Sequence, residues 1–429
     1  MAGDDGRDGG GGAFRRAVHR VTSISCGEAH AFRGGHLTVG TADAVRVLAH
    51  PALASTRVSC VSPGESARLV KILDAVEPRC KGTGGGGVFP GIVGPPSIAG
   101  RGEVHVLRGA AVVVAGHLPR AQEALVDLSG PAAPLSPLGV CHDVVIEFER
   151  AEGASWADVD SALREGALRL AEALAQAALP AVPDSVEEVP GAWGRGASGL
   201  PRVGAITNLQ TQGAFKDVLV YGRSFAGGLP SVVHPAELDD GAVVSCQYGH
   251  PSLKNPTYVF QNHPVALALL ARDGVDLEFG GVILSPEPVE QARKEMVAEQ
   301  AARLARALGL DAAIVTKEGG GNADADVALK IDALEAAGIA GIGIFAEMSG
   351  ADGTAAPLVV PPQRATAMVS TGNYDEVLAL PAVERALGGA RFEVAGTDAA
   401  SAMDIPVAAI YGSLNPLGWG RLTARPAAL

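Results

Sequence analysis

The sequence predicts an α/β protein, with an N-terminal mixed α+β domain followed by an open, mostly parallel α/β sheet domain. Two observations indicate this fold. In the first half, short segments rich in β-branched residues are separated by Gly-rich turns, with two stretches of helical periodicity. In the second half, strand-like and helix-like segments alternate, which is typical of parallel βαβ units. We expect a disordered Gly- and Asp-rich tail at 1–13, then domains at 14–199 and 200–429.

The N-terminal half is predicted to contain several strands and two helices. Strands are expected at 17–25, 36–39, 45–48, 104–107, 110–114 and 140–147. The fourth and fifth of these are expected to pair around a Gly turn. Apolar residues recur at helical spacing in 65–75 and in 156–178, so both segments predict helices. The core face of the second helix is formed by Leu163, Ala167, Leu170 and Leu174. The Pro- and Gly-rich segment 180–199 is the predicted linker between the domains.

The C-terminal half is predicted to form the parallel sheet. Its strands are expected at 279–285, 312–316, 340–345 and 365–370, and its helices at 288–308, 323–337 and 375–387. Ligands of such sheets bind where strands end and helices begin. The segment 316–324 joins the strand predicted at 312–316 to the helix predicted at 323–337, and it contains three glycines. The N-terminus of that helix, beside Asn322, suits a carboxylate or phosphate ligand. Alternatively, Asn322 or Asp324 caps that helix. Further loops expected at this edge are 347–354, 370–373 and 411–420, the last of them able to close over it.

Composition excludes several classes of protein. Apolar residues make up 47% of the chain, and the net charge of −13 argues against a nucleic-acid partner or an anionic membrane surface. Apolar runs such as 110–115 are too short to span a membrane. No secretory signal is visible, and five widely spaced cysteines do not suggest a disulfide framework, so we expect a cytoplasmic protein. The glycine run 82–87 does not complete a nucleotide-binding motif, and the Cys/His pairs do not complete a metal site. We therefore predict neither a nucleotide nor a metal cofactor.

The loop after Val243-Val244 has the strongest functional signal in the chain. Ser245 and Cys246 follow a short apolar strand directly, where a strand end can aim a nucleophile at a carbonyl or ligand. Donors and acid–base groups are dense in the residues that follow, namely Tyr248, His250, Lys254, Asn255, Tyr258, Asn262 and His263. The alternative is an ordinary polar loop with a cysteine packed beneath it.

Many motifs in one order resemble a known family. They are Lys254-Asn-Pro-Thr-Tyr258 with Gln261-Asn262 and Pro264, Pro78-Arg-Cys-Lys81, Phe89-Pro-Gly91, 105–113, Ser129-Gly-Pro131, Leu209-Gln-Thr-Gln-Gly213, Val220-Tyr-Gly222, 240–245, Glu318 with Gly321-Asn322, and 350–353. Together they resemble the precursors of the substrate-specific component B of glycine, sarcosine and betaine reductases, to which the D-proline reductase precursor is related. The resemblance covers almost the whole chain beyond the tail.

The resemblance implies a proprotein that cleaves itself at an internal cysteine. The thiol attacks the preceding carbonyl, and elimination and hydrolysis leave a pyruvoyl group on the new N-terminus. That ketone activates an amine-bearing carboxylic acid, and a cysteine or selenocysteine of a partner subunit attacks the carbon between nitrogen and carboxylate. The implied activity is therefore reductive C–N cleavage by an oxidoreductase subunit in a hetero-oligomeric complex.

The resemblance also implies roles for individual residues. Cys246 becomes the pyruvoyl source, and Ser245 donates the attacked carbonyl, or itself acts through an ester. His250 and His263 are acid–base candidates, and Lys254 orients the substrate carboxylate. Further substrate-binding candidates are Asn255, Tyr258, Asn262, Glu318 and Asn322.

At the processing site this chain departs from the family pattern. Aligned without gaps on Lys254-Asn-Pro, the family's modified cysteine falls on Tyr248, and a second family cysteine falls on Ser252. A second interpretation is thus an unprocessed scaffold or substrate-binding subunit for a thiol-bearing partner. A third is a standalone ligand-binding α/β protein.

Overall fold

A computed structural model describes residues 14–82, 86–189, 199–211, 217–246 and 248–419, and the backbone of 423–426. The predicted tail, part of the glycine run and residues 190–198 of the predicted linker lie outside these ranges, and residues 185–189 of that linker form a strand. The described part is a mixed α/β protein with several parallel and mixed sheets. No helix in the described ranges is both long and apolar enough to cross a lipid bilayer.

The N-terminal half contains two four-stranded sheets, with strand orders β13-β1-β9-β8 and β5-β12-β10-β7. Its strands are β1 (Phe14–Arg20), β2 (Ser23–Gly27), β3 (Ala31–Arg33), β4 (His36–Gly40), β5 (Leu53–Val61), β6 (Ala67–Val70), β7 (Ile72–Val76), β8 (Arg79–Lys81), β9 (Glu103–Arg108), β10 (Ala110–Ala115), β11 (Leu125–Asp127), β12 (His142–Arg150) and β13 (Ser185–Val189), and its helices are α1 (Thr41–Leu48) and α2 (Trp156–Gln176).

The helix predicted at 156–178 is confirmed as α2. The Ser155 side chain caps its N-terminus by accepting a hydrogen bond from the Asp158 amide at 3.1 Å. The four predicted core-face residues are all buried, and they pack with both sheets in one apolar core. Burial of this face is what holds α2 against β7, β8, β9 and β10.

The structure corrects four predictions of secondary structure. The helix predicted at 65–75 is instead β6 and β7, whose residues are buried on both faces, so their continuous apolar pattern imitated helical spacing. Residues 45–48 belong to α1. The segments 104–107 and 110–114 are strands but lie in different sheets, β9 against β1 and β10 against β12. The helix predicted at 375–387 is instead two strands, described with the C-terminal half.

The C-terminal half is organised around a seven-stranded sheet of order β17-β19-β14-β20-β21-β22-β28. Its elements are β14 (Arg202–Gln210), β15 (Leu219–Val220), β16 (Arg223–Ser224), β17 (Ser231–Val233), α3 (Pro235–Asp239), β18 (Val243–Val244), α4 (Thr257–Gln261), α5 (Pro264–Leu270), β19 (Glu278–Glu287), α6 (Gln291–Ala307), β20 (Ala312–Thr316), α7 (Asn322–Ala336), β21 (Ala340–Glu347), β22 (Ala367–Asn373), β23 (Val377–Leu380), β24 (Arg385–Leu387), β25 (Arg391–Phe392), β26 (Thr397–Asp398), β27 (Met403–Pro406) and β28 (Thr423–Pro426).

Five consecutive strands of this sheet, β19 to β22, are parallel, as the sequence predicts. Neighbouring residues of one strand face opposite sides, so Ile206 packs with α6 and α7 whereas Ala205 packs with α5. Apolar residues from β6, β10 and β14 share one core, so the two halves are in direct contact. The division at 199/200 stays a prediction.

Candidate active site

The loop that begins at Ser245 lies in the contact between the two halves. β18 pairs antiparallel with β15, and α4 packs on both β18 and β7. This arrangement buries Ser245 and Cys246, which are 1% and 0% exposed. The peptide that joins them is therefore held away from water.

Asp74, from β7 of the N-terminal half, fixes the start of this loop. Its carboxylate accepts hydrogen bonds from the Thr257 hydroxyl at 2.6 Å and the Thr257 amide at 3.1 Å. The same hydroxyl accepts a hydrogen bond from the Ser245 amide at 3.0 Å. Burial raises the pKa of Asp74, and the nearby Lys254 charge opposes that rise. The Ser245 hydroxyl oxygen is buried and has no hydrogen-bond partner among the described residues.

Cys246 has a fully buried thiol with neighbouring charges of both signs. Burial raises the pKa of the thiol to about 12; Arg164 and Lys254 act against this rise, and Asp160 and Asp74 add to it. Its sulfur lies 3.9 Å from the Val244 carbonyl oxygen. The thiol is therefore protonated at neutral pH, and it can act as a nucleophile only if a neighbouring group takes its proton.

Tyr248 is anchored to α2. Its hydroxyl donates to the Asp160 carboxylate and accepts from the Arg164 guanidinium at 2.9 Å. Arg164 also forms two hydrogen bonds to the Asp160 carboxylate, at 2.9 and 3.0 Å. Sequence reasoning did not identify Asp160 and Arg164. The available signal was a pair of opposite charges, four residues apart, on the otherwise apolar face of a helix.

Lys254 carries a buried ammonium group without a hydrogen-bond acceptor in the described part of the chain. The side chain is 2% exposed, and its Nζ lies 5.0 Å from the centre of the Tyr248 ring. Burial lowers the pKa of Lys254, and the carboxylates of Asp74 and Glu318 oppose that change. A buried cation in this state is an unusual cost to the fold, and it suits an anion that arrives from outside.

Glu318 follows β20 and faces the same loop. One carboxylate oxygen accepts from the Gln210 amide at 3.0 Å, and the other has no partner in the described ranges. Burial raises the pKa of Glu318 to about 7, while Lys254 opposes the rise. Glu318 is thus partly protonated at neutral pH, which suits a group that donates and accepts protons.

Asn255 connects this loop to the C-terminal segment 411–419. Its side chain donates to the Lys317 carbonyl at 3.1 Å and accepts from Asn415 at 2.8 Å. Asn415 also donates to the Lys254 carbonyl at 2.9 Å. The segment predicted to close over the site therefore contacts it. Tyr411 from this segment is buried, with a hydroxyl that has no partner among the described residues.

The two candidate histidines differ in their surroundings. His263 has both ring nitrogens engaged, with Thr207 Oγ1 at 2.7 Å and the Ala266 amide at 3.3 Å, and it caps α5. Burial lowers its pKa to about 4. His250 has a left-handed backbone (φ 48°), and its Nδ1 has no described partner. Burial and then Lys317 lower the pKa of His250. The acid–base role of each stays a prediction, and the geometry leaves only His250 a free nitrogen.

Tyr258 and Asn262 bond to groups on the N-terminal half. The Cys141 thiol donates to the Tyr258 hydroxyl at 3.5 Å. Asn262 donates to Glu77 at 2.9 Å and accepts from Arg79 at 2.8 Å. Their substrate-binding role stays a prediction, although these contacts already use their polar atoms.

The glycine turn before α7 is occupied by the chain itself. Asn322 is the first residue of α7, and Asp324 in the first turn forms an ion pair with Lys317. Asp324 also accepts from the Val359 amide at 3.2 Å. Gly321 is the N-cap residue and no side chain caps α7, so the capping alternative is wrong, although the Asp324 carboxylate still places negative charge in the first turn. An anion pocket at Asn322 stays a prediction. Within the described ranges, no group of three or more His, Cys, Asp or Glu residues could hold a metal ion.

Comparison with known proteins matches nearly the whole chain. The family model for glycine/sarcosine/betaine reductase component B subunits matches residues 14–425. "Glycine reductase complex component B subunits alpha and beta" of Peptoclostridium acidaminophilum is 34% identical over 419 residues, 94% of this chain and 97% of that protein. The protein of the same name from Acetoanaerobium sticklandii is 32% identical over 427 residues, with the same shares. "Betaine reductase complex component B subunit alpha" of P. acidaminophilum is 33% identical over 383 residues, 86% of each chain. No solved structure matches.

Proposed function

This chain belongs to the family of glycine/sarcosine/betaine reductase component B subunits, and from that membership we propose that it is the pyruvoyl-forming subunit of such a reductase. It is an oxidoreductase-type enzyme subunit, as its relatives are. In this proposal, the peptide between Ser245 and Cys246 is cut and residue 246 becomes the pyruvoyl group. The complex then cleaves the C–N bond of an amine-bearing carboxylic acid reductively, with a cysteine or selenocysteine of a partner subunit as the nucleophile.

The observation that carries the proposal is the buried, unpartnered ammonium of Lys254 in the same loop as Cys246. A substrate carboxylate would supply the missing acceptor, since charge-assisted hydrogen bonds are strong where water is excluded. The hydroxyl of Ser245 is unpartnered as well. These polar atoms fit a small ligand and a reactive carbonyl at residue 246.

The chain's own residues suit the cleavage step. The Thr257–Asp74 pair holds the Ser245 amide and thereby fixes the peptide that is attacked. The Cys246 sulfur bonds to the Ser245 carbonyl carbon as the bond to the residue 246 nitrogen breaks, and that nitrogen takes a proton. Because the pKa of the thiol is about 12, a base must take its proton, and Asp74 is a carboxylate close enough to act on that pKa. Elimination then breaks the Cβ–S bond of residue 246, so the sulfur leaves with the N-terminal piece as a thiocarboxylate on Ser245. Tautomerisation of residue 246 to an imine and addition of water release ammonia and leave the ketone.

The same residues suit the reductive step. When present, a pyruvoyl group supplies an electron-poor ketone that makes the substrate nitrogen a better leaving group. Lys254 binds the substrate carboxylate and thereby orients the carbon that the partner attacks. Glu318, with its pKa of about 7, gives a proton to the departing nitrogen.

Mass spectrometry of the denatured protein tests processing. We expect two fragments that part between Ser245 and Cys246, the C-terminal one reacting with a hydrazine. Cys246→Ala should stay as one chain, whereas Cys80→Ala, which removes another buried cysteine, should be cut normally. Cys246→Ser should retain slower cleavage through an ester. A single intact wild-type chain without hydrazine reactivity contradicts the proposal.

An unprocessed scaffold is the second candidate, and Tyr248 favours it. In the ungapped alignment this residue replaces the family's modified cysteine, and its hydroxyl is committed to α2. In that case, Cys246→Ala should leave the turnover of the reconstituted complex unchanged. Either candidate requires a partner, so we expect the chain to copurify with a cysteine- or selenocysteine-bearing subunit. Isolation of the chain alone from its native source favours a standalone binding protein.

A further inference from the structure

Cys26 and Cys60 form a close pair of thiols outside the candidate active site. Cys26 lies in β2 and Cys60 in β5, and their sulfur atoms are 2.8 Å apart. A disulfide bond brings two sulfurs to about 2.0 Å, so this pair is within ~1 Å of the bonded distance. We propose that Cys26 and Cys60 are a dithiol modification site that closes to an intrachain disulfide by exchange with low-molecular-weight disulfides.

The two strands hold the sulfurs in place from opposite sides. Cys26 lies opposite Val39 in the parallel ladder of β2 and β4. Cys60 lies opposite Val144 in the antiparallel ladder of β5 and β12. Each backbone is therefore fixed by its own sheet, and the two sulfurs meet where the sheets adjoin. A disulfide here would join two sheets that are otherwise linked by side-chain packing.

A contact from far along the chain also positions Cys60. The Arg385 guanidinium, in β24, donates to the Cys60 carbonyl oxygen at 3.0 Å and to the Glu65 carboxylate at 3.3 Å. The pair consequently lies where β24 docks on the N-terminal half through its ladder with β6.

Solvent access distinguishes this pair from the other cysteines. Cys26 is exposed and Cys60 is partly exposed. The fully buried cysteines are Cys80, Cys141 and Cys246. Burial and the Cys26 sulfur raise the pKa of the Cys60 thiol. Cys26 therefore meets a dissolved reagent first, and Cys60 is placed to resolve the product.

The exchange proceeds in two balanced steps. The Cys26 thiolate attacks one sulfur of the reagent disulfide, whose S–S bond breaks and releases one thiol. The Cys60 thiolate then attacks the Cys26 sulfur in this mixed disulfide and releases the second thiol. The two protein thiols are oxidised, the reagent disulfide is reduced to two thiols, and the protons of Cys26 and Cys60 pass to those thiols.

Oxidised glutathione is a suitable probe for this site. The purified full-length protein, pre-reduced and freed of reductant, is incubated with graded ratios of oxidised to reduced glutathione, acid-quenched and alkylated under denaturing conditions. We expect the wild type to lose two alkylatable thiols and two hydrogens of mass, with Cys26 and Cys60 in one linked peptide. Excess reduced glutathione should restore both thiols. Cys80→Ser, which leaves the pair intact, should behave like the wild type.

The single variants separate the two roles. Cys60→Ser should stop at a stable glutathione adduct on Cys26, because no resolving thiol remains. Cys26→Ser should react at least tenfold more slowly, because only the partly exposed thiol is left. The proposal is overturned if the wild type accumulates the same adduct as Cys60→Ser, or if both thiols stay alkylatable at every ratio.

Discussion

Two charge networks contact opposite ends of α4, and they differ in whether their charges are paired. The first, here the paired network, consists of Arg16, Glu77, Arg79, Arg108 and Asp239. The second, here the open network, consists of Asp74, Lys254 and Glu318. Apart from Arg108, whose side chain is 34% exposed, every member of the two networks is buried. Any difference between them therefore reflects their partners rather than their depth.

In the paired network, every charge meets an opposite charge. Asp239 accepts from Arg79 and, at 2.8 Å, from Arg16, and Glu77 accepts from Arg79 and, at 3.0 Å, from Arg108. Burial alone would raise the pKa of Asp239, but Arg16 and Arg79 lower it overall. In the open network, burial prevails: it raises the pKa of Asp74 and Glu318 and lowers that of Lys254. The paired network is complete for folding, whereas the open network is incomplete without a ligand.

The largest expected effect is on the paired network. Asp239→Asn leaves Arg16 and Arg79 buried without their shared carboxylate, and we expect the free energy of unfolding to fall by about 3–5 kcal/mol. Urea unfolding followed by circular dichroism measures this. Glu299→Gln, which breaks an exposed pair with Arg303, is the matched control and should change little. Equal losses for the two variants would mean that the paired network does not stabilise the fold.

Glu318 should give the open network a distinctive pH dependence. Its folded pKa of about 7 exceeds the ordinary value of 4.5, so its contribution to stability is present below pH 4.5 and is lost as the pH rises through 7. The quantity to follow is the unfolding free energy of the wild type minus that of Glu318→Gln. We expect this difference to fall by on the order of 3 kcal/mol over that range. Urea midpoints from pH 5 to 8 measure it. Parallel profiles for the two proteins would contradict the raised pKa.

Lys254→Met should separate function from stability. Removing an unpaired buried charge should leave the free energy of unfolding unchanged or higher. Turnover in the reconstituted complex should fall about 100-fold, because one charge-assisted hydrogen bond to substrate is worth roughly 3 kcal/mol. Lys317→Met is the matched comparison, since Lys317 is equally buried but paired with Asp324, and it should destabilise the fold. If Lys254→Met destabilises as much as Lys317→Met, the distinction between the networks fails.

The smallest expected effect concerns Tyr248. Tyr248→Phe removes the hydroxyl shared by Asp160 and Arg164, which stay paired with each other, so we expect a loss of about 1–2 kcal/mol. Thermal or urea unfolding measures it. Tyr374→Phe is the control, because the Tyr374 ring lies near His250 without a hydroxyl hydrogen bond to the described residues. Tyr248→Phe should be cleaved as the wild type is. If this variant is not cleaved, Cys246 is not the reactive position.

The sequence predicted those helices and strands in which the spacing of apolar residues is unambiguous. α2 and the strands β19, β20 and β21 were expected within a few residues of their bounds. It failed at 65–75, where both faces of β6 and β7 are buried and no alternation marks a strand. It also failed at 375–387, where Ala- and Leu-rich sequence forms short strands that are fixed by distant partners, such as β6 for β24.

At the candidate site, the local loop was predictable and its surroundings were not. Ser245, Cys246 and Lys254 stand close together in the sequence and do lie together in the fold. Asp74 and Arg164 come from β7 and α2, and no local pattern connects positions so far apart. The contact between the halves brings them to the loop, and single-sequence reasoning has no access to such contacts.

The strand order of the seven-stranded sheet has a consequence for a chain cut after Ser245. β14 and β17 precede that bond, whereas β19 and β20 follow it, yet the order β17-β19-β14-β20 interleaves them. Neither piece could withdraw without tearing hydrogen-bond ladders on both sides of a strand. A nicked molecule would thus migrate as one particle in native gels and size-exclusion columns, and only a denaturant would reveal two polypeptides.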